Sequence, residues 1–218
     1  MTAAPQHSPE LGSPELPPRA LSPRERRRQE TAAEIVDVAW QLCREEGLAS
    51  LSLRKLADRV GMKAPSLYSY FDGKDAIYDA MFRQGQEQLA DHMAPVSQQR
   101  PVTRELIKEA TRRWFEFCTS DPVRYQLLFQ RTMPGFEPSP ESYALALERL
   151  DEAGRLLTDA GITSPRALDL WTALLTGLTS QQISNEPEGD RWARLLDESI
   201  DMFLDHVGAL RPDSGDTP

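Results

Sequence analysis

Between Ser52 and Lys63 four basic side chains, Arg54, Lys55, Arg59 and Lys63, stand against the single acid Asp58. Directly after them the run GMKAPSLYSYFDGKDAI (Gly61 to Ile77) brings Ala64, Pro65 and Ser66, then Tyr68, Tyr70 and Lys74. Guanidinium and ammonium groups at this density can meet a polyanion, and a phenol suits a phosphate oxygen. The chemistry on offer is binding, not bond-making. Elsewhere there is no G-x-S-x-G, no glycine-rich phosphate loop and no clustered His/Cys/Asp arrangement. His7, His92 and His206 are scattered without ligand-like spacing, and Cys43 and Cys118 fall among apolar residues, as buried reduced thiols do. No catalytic residue, metal or cofactor is expected.

Those side chains need elements to hold them, and Pro65 shows which. A proline in a helix interior costs about 3 kcal/mol, whereas in the first turn its missing N–H is an orphan in any case. Pro65 therefore predicts a helix beginning at Lys63 or Ala64 and running to Phe71. Upstream, Ser52 can cap a short helix with Leu53, Leu56, Ala57 and Val60 inward, ended by Gly61. Two short helices joined by a glycine-containing turn have helix-turn-helix dimensions. That arrangement puts Ala64, Pro65 and Ser66 at the helix end that meets base edges. Leu67 and Phe71 pack inward against Leu56 and Val60, and Tyr68 projects away from the core.

The wider pattern is all-α. Ala32, Ile35, Val36, Ala39, Leu42 and Cys43 form one stripe at helical spacing within a helix over 24–46. A fourth helix is expected from Lys74 to about Met93, before Pro95, and further ones over 103–119, 122–131, 139–160, 165–184 and 191–209. The breaks SDP, MPGFEPSP, GITSP and NEPEGD are rich in turn residues. Residues 1–23, with six prolines, read as a disordered N-terminal arm, and 212–218 as a disordered tail. No apolar run approaches the roughly 18 residues that span a bilayer, and the first 20 residues lack a signal-peptide core, so a cytoplasmic protein is expected.

The formal charge of −9 is unevenly spread. Residues 24–75 hold ten Lys/Arg against nine Asp/Glu, whereas 76–218 hold fourteen against twenty-three. A basic stripe on an acidic body can still bind DNA, because the local field decides.

The segment LASLSLRKLADRVGMKAPSLYSYFDGKDAIYDAM resembles the DNA-binding region of the tetracycline-repressor (TetR) family over about 24–81. The likeness lies in an aliphatic first helix ending in EEG, then SLRKLADRVG, SLYSYF and GKD, at the family's spacing. It implies that Arg54 reaches a guanine, that Ala64, Pro65 and Ser66 read bases, and that Tyr68 and Lys74 touch phosphates. Two positions depart from the family. Lys63 replaces a small hydroxyl residue, so the helix either loses that cap or acquires an ammonium that meets a phosphate. Tyr70 stands where histidine is frequent. The plain alternative for Arg54 and Lys63 is solvated charge, and for Tyr68 a half-buried helix residue. The RERRR run (Arg24, Arg26, Arg27, Arg28) is either a solubilising charge run or an element reaching the DNA backbone or minor groove.

The resemblance further implies a helix-turn-helix domain over 24–84 and a helical ligand-binding and dimerisation domain over 85–211. The aromatic-rich stretches nominate Trp114, Phe117, Cys118, Tyr125, Phe129, Met133 and Trp171 for an apolar effector pocket, with plain core as the alternative. Trp171, Leu174, Leu178, Trp192, Leu195 and Phe203 lie on broad apolar faces that serve either a homodimer bundle or the monomer core. The expected function is a ligand-responsive transcriptional regulator, in the repressor form, binding a palindromic double-stranded DNA operator as a homodimer and released by a small apolar effector. A helical protein–protein module on the same fold, without operator binding, is the alternative.

Overall fold

A computed structural model describes residues 22–210. The expected arm lies outside these residues except for Ser22 and Pro23, and the expected tail lies outside them entirely. Nine α-helices are formed among the described residues: α1 (Pro23–Glu46), α2 (Leu53–Val60), α3 (Ala64–Leu67), α4 (Lys74–Ser97), α5 (Arg104–Thr119), α6 (Pro122–Phe129), α7 (Pro140–Asp159), α8 (Pro165–Asn185) and α9 (Leu196–Val207). None of them is long and apolar enough to cross a membrane.

α1 starts at a capping box in which Ser22 and Glu25 exchange hydrogen bonds, with Pro23 in the first turn. Its apolar stripe (Ile35, Val36, Ala39, Trp40, Leu42, Cys43) joins Leu56, Ala57, Leu67, Ile77, Tyr78 and Met81 in a first core. α4 then leaves that core and enters two others. Phe82 and Leu89 pack with Phe117, Tyr125 and Leu128, and Val96 packs with residues of α5, α7, α8 and α9. The expected domain boundary between residues 84 and 85 thus falls inside one continuous helix. At Gly85 α6 packs tightly on α4, since a Cβ there would lie 2.9 Å from a methyl of Leu128.

Two carboxylates are prominent among the polar ties that join α1–α4 to the later helices. Asp121 caps α6 by accepting from the Arg124 N–H (3.1 Å) and also takes both Nε (2.9 Å) and Nη2 (2.7 Å) of Arg44 at the end of α1. Asp79 on α4 accepts from the Ser139 N–H (2.7 Å), the Ser139 hydroxyl (3.1 Å) and the Ser142 hydroxyl (2.8 Å), which fixes the start of α7. At the far end, α5 and α9 are joined by Arg104, Lys108 and Arg112 to Asp201, Asp205 and Asp197. Lys108 and Arg104 hold the Asp201 carboxyl below its ordinary range.

Three elements differ from the sequence reading. α3 ends at Leu67 instead of running to Phe71, because the Ser69 and Tyr70 N–H groups bond three residues back, to the Ser66 (3.1 Å) and Leu67 (2.9 Å) carbonyls, and the chain continues as turns. α4 runs past Pro95 to Ser97, because the proline lies in the last turn, where its ring costs one backbone bond and little of the helix follows. The final helix begins at Leu196 instead of 191. The Gln182 side-chain oxygen accepts from the N–H groups of Trp192 (3.2 Å) and Ala193 (3.3 Å), holding that segment in a short 3₁₀ turn.

Candidate nucleic-acid interface

α2 is bounded as its sequence predicts. The Ser52 hydroxyl accepts from the Lys55 N–H, and Gly61 closes the helix in the left-handed conformation (φ 78°). The Met62 N–H returns to the Ala57 carbonyl at 2.9 Å, so the chain reverses tightly into α3. α3 has only four residues, with Pro65 in its first turn and Lys63 as an N-cap that makes no side-chain bond. A helix this short has no stability of its own. It stands because Leu67, 1% exposed, is sunk into the first core, with Phe71 and Val60 packed against that core from the side.

That anchorage leaves the opposite surface free. Pro65, Ser66 and Tyr68 are exposed, Tyr68 at 54%, and Ala64 is half-buried. The basic stripe divides in two. Lys55 pairs with Glu46 at 2.7 Å and Arg59 with Glu45 at 2.7 Å, stitching α2 to α1. Glu45, by hydrogen bond and charge, raises the Arg59 guanidinium above its ordinary range. Arg54 and Lys63 are exposed and make no ion pair among the described residues. Two of the four cations are structural, and the two nominated from the sequence are those left outward.

The last two nominated residues sit differently. The Lys74 ammonium turns inward, donating to the Ala49 carbonyl at 3.0 Å and lying 5.3 Å from the centre of the Tyr78 ring. Tyr70 is half-buried under the Arg28 guanidinium, 5.4 Å from its ring centre. Arg28 also donates to the Ser69 carbonyl at 2.6 Å. Sequence periodicity missed this pairing because it spans 41 residues.

Behind the interface lies a cavity of about 520 Å³ between α4, α6, the 130–139 loop and α7. Phe82, Leu127, Leu128, Phe129, Met133, Phe136 and Tyr143 supply most of its apolar wall, with Arg131 and Glu137 as its charged lining residues. Of the residues expected to form a pocket, Phe129 and Met133 line it. Trp114 and Tyr125 instead flank the outside of Phe129, with ring centres 5.4 and 5.7 Å away. Phe117 lies beneath the Arg124 guanidinium at 3.7 Å, Cys118 is fully buried, and Trp171 belongs to the core around Ile200. These five are placed away from the cavity because helix packing consumes them. Phe82 and Tyr143 were missed: Phe82 lies on the buried stripe of α4 and reads as core, and Tyr143 is exposed near the start of α7. Burial pushes the Cys43 thiol up to about 11 and the Cys118 thiol higher still, so neither is a reactive thiolate. Among the described residues no group of three or more His, Cys, Asp or Glu could hold a metal.

The faces nominated for a dimer are likewise redistributed. Trp171, Leu178 and Phe203 are buried within the protomer, and Leu174 and Trp192 are half-buried against the same core. The large apolar side chains left outward on α8, on the turn before α9 and on α9 are Leu170 (38% exposed), Leu195 (37%) and Met202 (67%). An apolar stripe in the sequence says that a face is covered; it does not say by which copy.

An all-α chain that displays a short, anchored helix beside unpaired basic groups belongs to the helix-turn-helix class. Residues 35–81 match the family described as bacterial regulatory proteins, tetR family. The HTH-type transcriptional regulator Rv1816 of Mycobacterium tuberculosis is 27% identical over 125 residues, covering 54% of this chain and 51% of that protein. The class A tetracycline repressor from transposon 1721, from Escherichia coli, is 29% identical over 186 residues, covering 78% and 79%. Among solved structures, the regulatory protein SCO4313 superposes with a TM-score of 0.71 at 25% identity, covering 84% of this chain and 100% of that one. The match to the tetR family thus lies over the helix-turn-helix region of this chain. The chain spans about half the length of the first of the curated relatives it matches.

Proposed function

We propose that the protein is a ligand-responsive transcriptional regulator that binds operator DNA as a homodimer in the cytoplasm. The observation that carries this reading is the outward face of α2 and α3, where Arg54, Lys63, Pro65, Ser66 and Tyr68 stand free over the buried Leu67. In this reading Arg54 donates to a guanine edge, Ala64, Pro65 and Ser66 meet base edges, and Lys63 and Tyr68 hold phosphates. Lys74 and Tyr70 act from behind, supporting the surface that touches DNA. Arg54→Ala is expected to cost about 1–3 kcal/mol of operator affinity and to relax preference at one base position per half-site.

α1–α3 with the start of α4 form the DNA-binding unit, and the later helices the regulatory unit. A dimer through the outward faces of α8 and α9, with Leu170, Leu195 and Met202 at its centre, sets two copies of α3 about 34 Å apart on one side of the duplex. Repression is the expected outcome of binding.

The effector is a small, largely apolar molecule held in the 520 Å³ cavity, within the range of small-molecule sites. One wall of that cavity, Phe136, rests on the Tyr78 ring (centres 5.5 Å apart), and the Tyr78 hydroxyl donates to the Leu48 carbonyl just before α2. A ligand displacing Phe136 therefore presses on the support of the helix-turn-helix. N-phenyl-1-naphthylamine, a flat apolar fluorophore, is expected to brighten on binding, and Ala146→Trp to abolish the signal by filling the cavity. Undiminished binding in the variant would place the effector elsewhere.

A further inference from the structure

The first two turns of α1 have no core to cover. Residues 23–30 are all exposed, and the first buried residue of the helix is Ile35. The segment is nevertheless a properly started helix, because the Ser22–Glu25 capping box satisfies its N-terminus and engages Glu25. It holds Arg24, Arg26, Arg27 and Arg28 in about 12 Å of helix. Arg28 ties it to the rest of the fold by reaching the turn just after α3.

We propose that this extension is a second DNA-contacting element, in which Arg24 and Arg28 bind phosphates flanking the bases read by α3 and Arg28 also fixes the end of α3. Ser69 follows the last turn of α3, where helix carbonyls lack partners and a cation is favoured. The Arg28 guanidinium takes the Ser69 carbonyl at 2.6 Å and covers the Tyr70 ring, closing that end of the short helix. A guanidinium carries five N–H donors in a planar fork, so one bond to Ser69 leaves the others for an anion. Tyr68, the exposed phenol nominated for a phosphate, is next to Ser69 in the chain, which puts Arg28 beside the same DNA strand. Arg24 lies one turn earlier on the Arg28 face of α1 and extends the basic line outward. Arg28 is thus both a phosphate ligand and a positioning residue, and Tyr70 is its platform, not a DNA contact.

This inference rests on the DNA-binding reading, and its test separates the two. The full chain is titrated against two duplexes across a range of salt: one enriched from a random library by the wild-type protein, and one fixed mixed-sequence duplex. R24Q is expected to lose affinity equally on both, with a salt slope shallower by about 0.9 for each phosphate contact removed. R28Q is expected to do the same and also to flatten base preference on the enriched duplex, whereas R28K restores the salt slope without restoring the preference. Wild-type binding whose salt slope is unchanged in both R24Q and R28Q would overturn the inference alone. Wild-type protein that binds neither duplex would defeat the DNA-binding reading and this inference with it. Arg24 is exposed and covers no core, so misfolding cannot account for the R24Q result.

Discussion

Leu67→Ala is expected to lower stability by about 2–5 kcal/mol, the usual cost of truncating a buried leucine, and to abolish sequence-specific DNA binding. α3 is four residues long and is held by this one buried side chain, so its loss frees the element that carries Pro65 and Ser66. The neighbouring change Ser66→Ala removes an exposed hydroxyl and should leave stability within about 0.5 kcal/mol while altering base preference. Thermal unfolding and duplex binding well below the transition, measured on both variants, check the pair. A Leu67→Ala protein that kept its melting temperature and its site preference would show that α3 is held by something else.

Asp79→Ala is expected to cost about 2–4 kcal/mol and to disconnect the cavity from the DNA-binding unit. The carboxylate accepts three hydrogen bonds at the start of α7, where a negative charge is also favoured by the helix dipole. Its removal strands the Ser142 hydroxyl, which is fully buried. The 130–139 loop would then no longer be fixed between α4 and α7. The expected result is a lower melting temperature together with duplex binding that no longer responds to N-phenyl-1-naphthylamine. Asp79→Asn retains the shape and one acceptor and should fall between the two. A variant that still releases DNA on probe binding would mean that the signal travels by another route, the Arg44–Asp121 tie being the next to test.

The DNA-binding unit was legible because its signals are local. Pro65 in a first turn, Gly61 at positive φ and the Ser52 cap each depend on a few neighbouring residues, and the structure places all three as the spacing implies. What the sequence did not disclose depends on distant partners. Lys55 and Arg59 look the same as Arg54 and Lys63 until Glu46 and Glu45 are brought alongside. Arg28 and Tyr70 acquire a role only when α1 and the turn after α3 meet. The same limit governs the later helices: periodicity marked Trp171, Leu178 and Phe203 as covered, and their cover turned out to be their own protomer. Met202 attracted no notice because a lone exposed methionine carries no pattern.

Operator reading by a dimer is decided by in vitro selection of bound sites from a random duplex library, using the purified full chain beside Arg54→Ala. The wild-type protein is expected to enrich an inverted repeat with about one helical turn between half-site centres. The variant should enrich the same repeat with one position per half-site blurred. Recovery of no motif at low salt, from protein shown to be folded and dimeric, would contradict operator binding and leave the helical surface to a protein partner.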